Sequence, residues 1–297
     1  MKKILLILLC LPLLFTTCKK EDDEPTNKVE IAGCTDSTAC NYDSLATVDD
    51  GSCLTIYGCM NPAAINYDSL ANCPDSCIYP PAPSFTINFT QTIDGVDLTT
   101  NTMIYTNSAG ENYDIQTLKY LISDITLHAD DGNTLVLDEV HFIDISDSST
   151  FSFTPDYVAN NNYTSISFDM GLDPTKNSSN FYVNEDFHAT MFWPEPMGGG
   201  YHYMKLEGAY INDSTFYNTH TGGTMGMDYS FNNSSSISLN VNDDMGDVTI
   251  DINMEINNWY KTPNTISLAG AIMMDMMKQM QLKQNGMTDV FSVAVNQ

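Results

Sequence analysis

The residues most able to do chemistry are five histidines, His128, His141, His188, His202 and His220, and two tryptophans, Trp193 and Trp259, all in the last two thirds of the chain. Imidazole is a ligand for borderline metal ions. A thioether or an electron-rich ring beside it favours copper over a hard cation such as calcium. The densest stretch runs Met191-Phe192-Trp193-Pro194-Glu195-Pro196-Met197-Gly198-Gly199-Gly200-Tyr201-His202-Tyr203-Met204. Its prolines and glycines dictate a loop, and a loop centred near Met197 sets Trp193 and His202 opposite each other at its base. Strand alternation then puts His202, Met204 and Leu206 on one face. Downstream, Thr219-His220-Thr221-Gly222-Gly223 carries a second histidine into a glycine-rich turn. His128 and His141 fall in the two arms of a hairpin, roughly 20 Å apart if it is regular. His188 reads as a surface residue. Taken singly, each of these side chains also fits a hydrogen-bonded core position. No phosphate loop, nucleophile elbow or H-E-x-x-H pair occurs, so an enzyme is not expected.

The elements that must position these residues are strands. Phe85–Thr90, Tyr163–Phe168 and Val248–Ile256 alternate apolar and polar residues between clusters of Asn, Asp, Gly and Ser. Leu118–Leu127 and Leu135–Ile145 flank Asp130-Asp131-Gly132-Asn133, a hairpin signal. The predicted fold of residues 85–297 is all-β, an antiparallel β-sandwich with one C-terminal helix over Ser267–Gln284 and Gly286 as its cap. In that helix Met273, Met276, Met277 and Met280 recur at helical spacing. Thioethers can hold Cu(I), but the spacing is read here as a core face filled by methionine.

The start of the chain carries an address. Met1-Lys2-Lys3 and the apolar run Ile4–Phe15 form a signal peptide, too short to span a bilayer. It ends Thr16-Thr17-Cys18, similar to a relaxed bacterial lipobox. Residues 1–17 are thus expected to be removed and Cys18 acylated, anchoring the chain in the outer membrane or at the cell surface. A polar tether follows over residues 18–32, and Cys18–Glu24 resembles the charged export tag of surface lipoproteins in Bacteroidetes.

Six further cysteines lie between Cys34 and Cys77 and none beyond. In an exported segment this means disulfides. Residues 33–78 are an internal repeat: Gly33-Cys34-Thr35-Asp36 to Cys53 is followed by Gly58-Cys59-Met60-Asn61 to Cys77. Each copy has a matched outer pair and one unmatched inner cysteine. The simplest of the possible connectivities is Cys34–Cys53, Cys59–Cys77 and an inter-repeat Cys40–Cys73. The oxygens of Asn41, Asp43, Asp49 and Asp50 could hold calcium, although a disulfide-braced stalk is favoured. The copies resemble the Cys-rich GCTD…DDGSC repeats of exported Bacteroidetes proteins. A stiff Pro-rich linker, residues 79–84, separates them from the main domain.

The 297 residues carry 11 lysines, no arginine and 38 acidic residues, a net charge of −27. That balance excludes nucleic acid as a partner and leaves a soluble, cation-attracting surface.

The order of motifs in the main domain carries a further resemblance. It runs from Phe89 through Tyr105-Thr106-Asn107-Ser108-Ala109-Gly110, Leu118–Ile125 and His141-Phe142-Ile143-Asp144. It continues with Ile166–Leu172, the Trp193 loop, Gly200–Gly208 and His220-Thr221-Gly222. Over about 85 to 293 this resembles the MbnP family of copper-binding proteins. The resemblance implies a β-protein that binds Cu(I) through histidine and a tryptophan oxidised to kynurenine by a partner di-haem peroxidase of the MauG/MbnH kind. It places that tryptophan at Trp193 and a ligand at His220. His202 and His141 complete the candidate metal set. A rival reading is an adhesion or glycan-binding module using Trp193 and Tyr201 as exposed stacking surfaces.

Overall fold

A computed structural model describes residues 29–62, 64–79, 83–224 and 226–297. The predicted signal peptide, Cys18, most of the predicted tether and the middle of the linker lie outside the described residues. The chain divides into two units, Met1–Pro81 and Ala82–Gln297.

The first unit is the repeat module. Its disulfides are Cys34–Cys53, Cys40–Cys73 and Cys59–Cys77, the pairing the repeat register predicts. Regular structure is slight: Ala32–Gly33 pairs with Val48–Asp49, and Tyr57–Gly58 with Cys73–Pro74. Ile31 already accepts from the backbone of Thr47, so the module begins before residue 33. Asn41 donates to the Ser52 carbonyl and accepts from the Leu54 amide, and Asn66 does the same with Ser76 and Ile78. Asp43, Asp49 and Asp50 accept from backbone amides two residues on. These oxygens brace turns, and among the described residues no three His, Cys, Asp or Glu side chains gather as a metal-binding group.

The second unit is the β-sandwich. Its long strands are β1 (Phe85–Ile93), β2 (Thr117–Ala129), β3 (Thr134–Asp144), β4 (Asn161–Met170) and β5 (His202–Tyr210). They continue with β6 (Asn212–Gly222), β7 (Phe231–Val241), β8 (Val248–Glu255) and β9 (Phe291–Asn296). One sheet is built on β2. It pairs with β3 along one edge, and with β4 (Ile122–Ala129) and β5 (Thr117–Tyr120) in succession along the other. β7 adds to β4, and β6 to β5. The second sheet holds β1, β8 and β9. Pairing is antiparallel except for β1 with β8, which is parallel. Nearly the whole domain lies between those two strands, the long connection a parallel pair needs.

Alternation along the strands makes two cores. Phe89, Tyr120, Ile122, Ile143, Met204, Leu206, Ile250 and Ile252 fill the space between the sheets. On the opposite face of β2, Leu121 joins Leu172, Phe187, Met191, Tyr201, Tyr203 and Tyr229 in a smaller cluster. The long connection from β4 to β5 supplies much of that second cluster, and so folds back over the outer face of the sheet. It carries a short helical turn, α1 (His188–Met191).

The C-terminal helix, α2, runs Met276–Gly286, shorter than the predicted span, with Asp275 capping the amides of Met277 and Lys278. Gly286 is its last residue, and a Cβ there would stand 2.2 Å from the Phe231 ring. The helix buries Gln279, Leu282, Asn285 and Gly286. The methionine core face is therefore overturned: Met276, Met277 and Met280 are exposed.

Candidate metal centre

The loop after α1 closes as its glycines require. Gly198, Gly199 and Gly200 all have positive φ, a region that costs other residues strain. Trp193 donates its amide to the Gly200 carbonyl at 2.9 Å, while Gly200 and Tyr201 donate to Ser179 Oγ and Asn177 Oδ1. Trp193 and His202 thus stand opposite each other at the loop base, as the spacing predicts, with ring centroids 4.6 Å apart.

The face of His202 differs from the prediction. Between His202 and Met204 the strand takes two steps while β6 takes one, from Gly222 to Thr221. This β-bulge reverses the alternation. Met204 and Leu206 point into the sandwich core, whereas His202 shares the outer face with Gly222, His220 and Glu207. Its ring lies 5.0 Å from that of His220, nearly perpendicular to it. Gly222 is the floor under Trp193: a Cβ there would stand 2.8 Å from the indole. All three rings are shut away from solvent, with Trp193 0%, His202 5% and His220 8% exposed.

The hydrogen bonds define which nitrogens are free to bind. His202 Nδ1 donates to the Met191 carbonyl at 3.1 Å. Its Nε2 is then the lone-pair nitrogen, and this atom is buried with no hydrogen-bond partner. Burial, with the neighbouring His220 ring, pulls its pKa down to about 4, so the ring is neutral at physiological pH and ready to donate to a Lewis acid. His220 Nε2 bonds Glu207 Oε1 at 2.6 Å, and that bond holds the Glu207 carboxyl below its usual range. The carboxylate accepts the Nε2 proton, so Nδ1 is the His220 nitrogen that faces away from Glu207. A carboxylate or carbonyl behind each imidazole is the arrangement that orients metal-binding histidines. With metal–imidazole bonds of about 2 Å, the centroids of two rings sharing one ion lie roughly 5–6 Å apart, which the observed spacing meets.

The other histidines fall elsewhere. His141 is a correction to the candidate set. It lies in β3 with its ring 4.7 Å from Phe89 and 4.9 Å from Phe153, on the sandwich-core side of the sheet. Its Nε2 donates to the Thr150 carbonyl and its Nδ1 meets Asp138. His128 bonds Ser167. His188 is half-buried rather than a free surface residue, with Nδ1 on the Tyr201 hydroxyl at 2.9 Å. The rival glycan reading loses its platform, because Trp193 and Tyr201 are both fully buried. Glu207 and the Met191 carbonyl escaped the sequence reading. Glu207 meets His220 only through the β5–β6 register, and a backbone acceptor leaves no mark in composition.

Fold and site together define a β-sandwich that holds two buried imidazoles and an indole against one another on one sheet face. The MbnP family model matches residues 82–278, well over half of the chain, and the chain belongs to the MbnP family. Among solved structures it is similar to MbnP from Methylosinus trichosporium, at 12% identity and a TM-score of 0.44, over 73% of this chain and 100% of that one. No curated protein sequence matches it. Family membership points to a copper-related role.

Proposed function

We propose that the chain is an exported lipoprotein, anchored through Cys18 at the outer membrane or cell surface, that binds copper as Cu(I) for acquisition or handling. His202 and His220 hold the ion through Nε2 and Nδ1, and Trp193 closes the pocket beside them. As an indole, Trp193 offers the ion a π face. Oxidised to kynurenine by a di-haem peroxidase partner, it would offer polar donor atoms instead. The chain turns over no substrate of its own. The single observation that carries the reading is the buried, unpartnered Nε2 of His202, a costly arrangement unless a ligand takes the lone pair.

Competition for Cu(I) against a chromophoric chelator tests it. Wild type is expected to bind one tight equivalent that both His202→Ala and His220→Ala lose; equal affinity in all three sinks the reading. The mass of the Trp193 peptide from protein made in its own host decides whether the indole is oxidised. Release of Cys18→Ser protein from the membrane fraction checks the anchor; its retention there would refute it.

A further inference from the structure

Residues 273–280 read Met-Met-Asp-Met-Met-Lys-Gln-Met, and the fold leaves four of the five methionines exposed and Met273 half-buried. Met274, Met276, Met277 and Met280 are 54%, 44%, 72% and 37% exposed, while the buried side of the same helix carries Gln279, Leu282, Asn285 and Gly286. An amphipathic helix ordinarily does the reverse. Single exposed apolar residues need no explanation, but this is a cluster of one side-chain type. On α2 itself, Met276 and Met280 are four residues apart and Met277 and Met280 three, so their side chains are neighbours on the helix surface.

The start of the run, Met273, shares a cavity with His220. A cavity of about 410 Å³ is lined by Phe216, Asn218 and His220 of β6 on one side and by Ala271, Ile272 and Met273 on the other. The segment is pinned there. Gln279, fully buried, donates from Nε2 to the His220 carbonyl at 2.7 Å and to the carbonyls of Ile272 and Met273, and Thr224 bonds the Met273 carbonyl from the other side. One side chain therefore ties the backbone of a proposed copper ligand to the start of the methionine run.

We propose that Met273, Met276, Met277 and Met280 form a thioether docking site for Cu(I), from which the ion enters the cavity and reaches His220. The proposal rests on the two-histidine reading for the ion's destination, but not for the docking itself. Thioethers are soft, uncharged ligands that select Cu(I) over the harder cations that the acidic surface also attracts. Neutral sulfur holds the ion without a counter-charge, so the ion can be passed on to imidazole. Each step exchanges one set of ligands for another and involves no electron transfer.

The test uses the full chain labelled with 13C at the methionine methyl groups. Ag(I) serves as a redox-inert probe, and Cu(I) is delivered from a chromophoric chelator. Three proteins are compared: wild type, His202→Ala/His220→Ala, and Met273→Leu/Met276→Leu/Met277→Leu/Met280→Leu, in which leucine keeps the volume and removes only the sulfur. Ag(I) is expected to shift the four methyl resonances in wild type and in the double histidine variant. The leucine variant is expected to reach the wild-type stoichiometry of tight Cu(I) on the order of tenfold more slowly, the scale on which local capture raises association rates. If the four resonances stay still and the leucine variant loads at the wild-type rate, the docking site is refuted while the histidine centre stands. If the four resonances shift but the double histidine variant binds Cu(I) as tightly as wild type, the docking site stands and the histidine centre is refuted.

Discussion

His141 and His202 are both histidines of the large sheet, and the contrast between them separates a structural imidazole from a proposed ligand. His141 packs against two phenylalanine rings with both nitrogens engaged. His202 has one nitrogen fixed by a carbonyl and the other buried without a partner. Residue type is the same and both rings are at least partly buried, so neither fact alone decides function. Decisive instead is whether the surroundings complete the hydrogen-bonding capacity of the ring, since an unmet buried polar atom has a cost that folding alone does not recover.

The largest expected effect pits the two positions against each other. His202→Ala should weaken Cu(I) binding by more than about a hundredfold, beyond the loss typical of removing an outer partner, with little loss of stability. His141→Ala should leave Cu(I) affinity unchanged and lower stability by about 2 kcal/mol, for the lost ring packing and hydrogen bonds. Chelator competition and urea unfolding read both, and a copper defect in His141→Ala would erase the contrast.

A pH dependence should separate the same pair in the metal-free chain. The folded pKa of His202, about 4, is below its ordinary 6.5, so between those values the unfolded chain binds the extra proton. Its contribution is complete above pH 6.5 and is lost as pH falls towards 4, a change on the order of 3 kcal/mol. His202→Gln should flatten that part of the stability curve. An unaltered acid limb would show that His202 is not held neutral.

The smallest effect falls on the orienting carboxylate. Glu207→Gln keeps the shape and weakens the bond to His220, so affinity should drop about tenfold, with the number of bound ions unchanged. A loss as large as that of His202→Ala would make Glu207 itself a ligand.

Much of the architecture was legible before any coordinates. The cysteine offsets of the two repeats made Cys40–Cys73 the simplest pairing, because only those two lack a counterpart in the other copy, and the fold has that disulfide. The Asp130–Asn133 turn predicted the β2–β3 hairpin, and the prolines and glycines of 194–200 placed Trp193 opposite His202. The side of the sheet on which His202 lies was not legible. It depends on a one-residue bulge, and period-two patterns carry no trace of an extra residue. The methionine run was misjudged for a similar reason. Helical spacing says which residues share a face but not which face meets the core, and here Gln279 and Asn285 turn inward to bond backbone carbonyls.

The most direct test of the two-histidine centre is X-ray absorption at the copper edge on chain loaded with one equivalent of Cu(I), compared with His202→Ala. The wild-type spectrum should show two imidazole nitrogens at about 2 Å, with the imidazole outer-shell scattering reduced in the variant. A first shell made only of sulfur, and identical in the two proteins, would contradict the account.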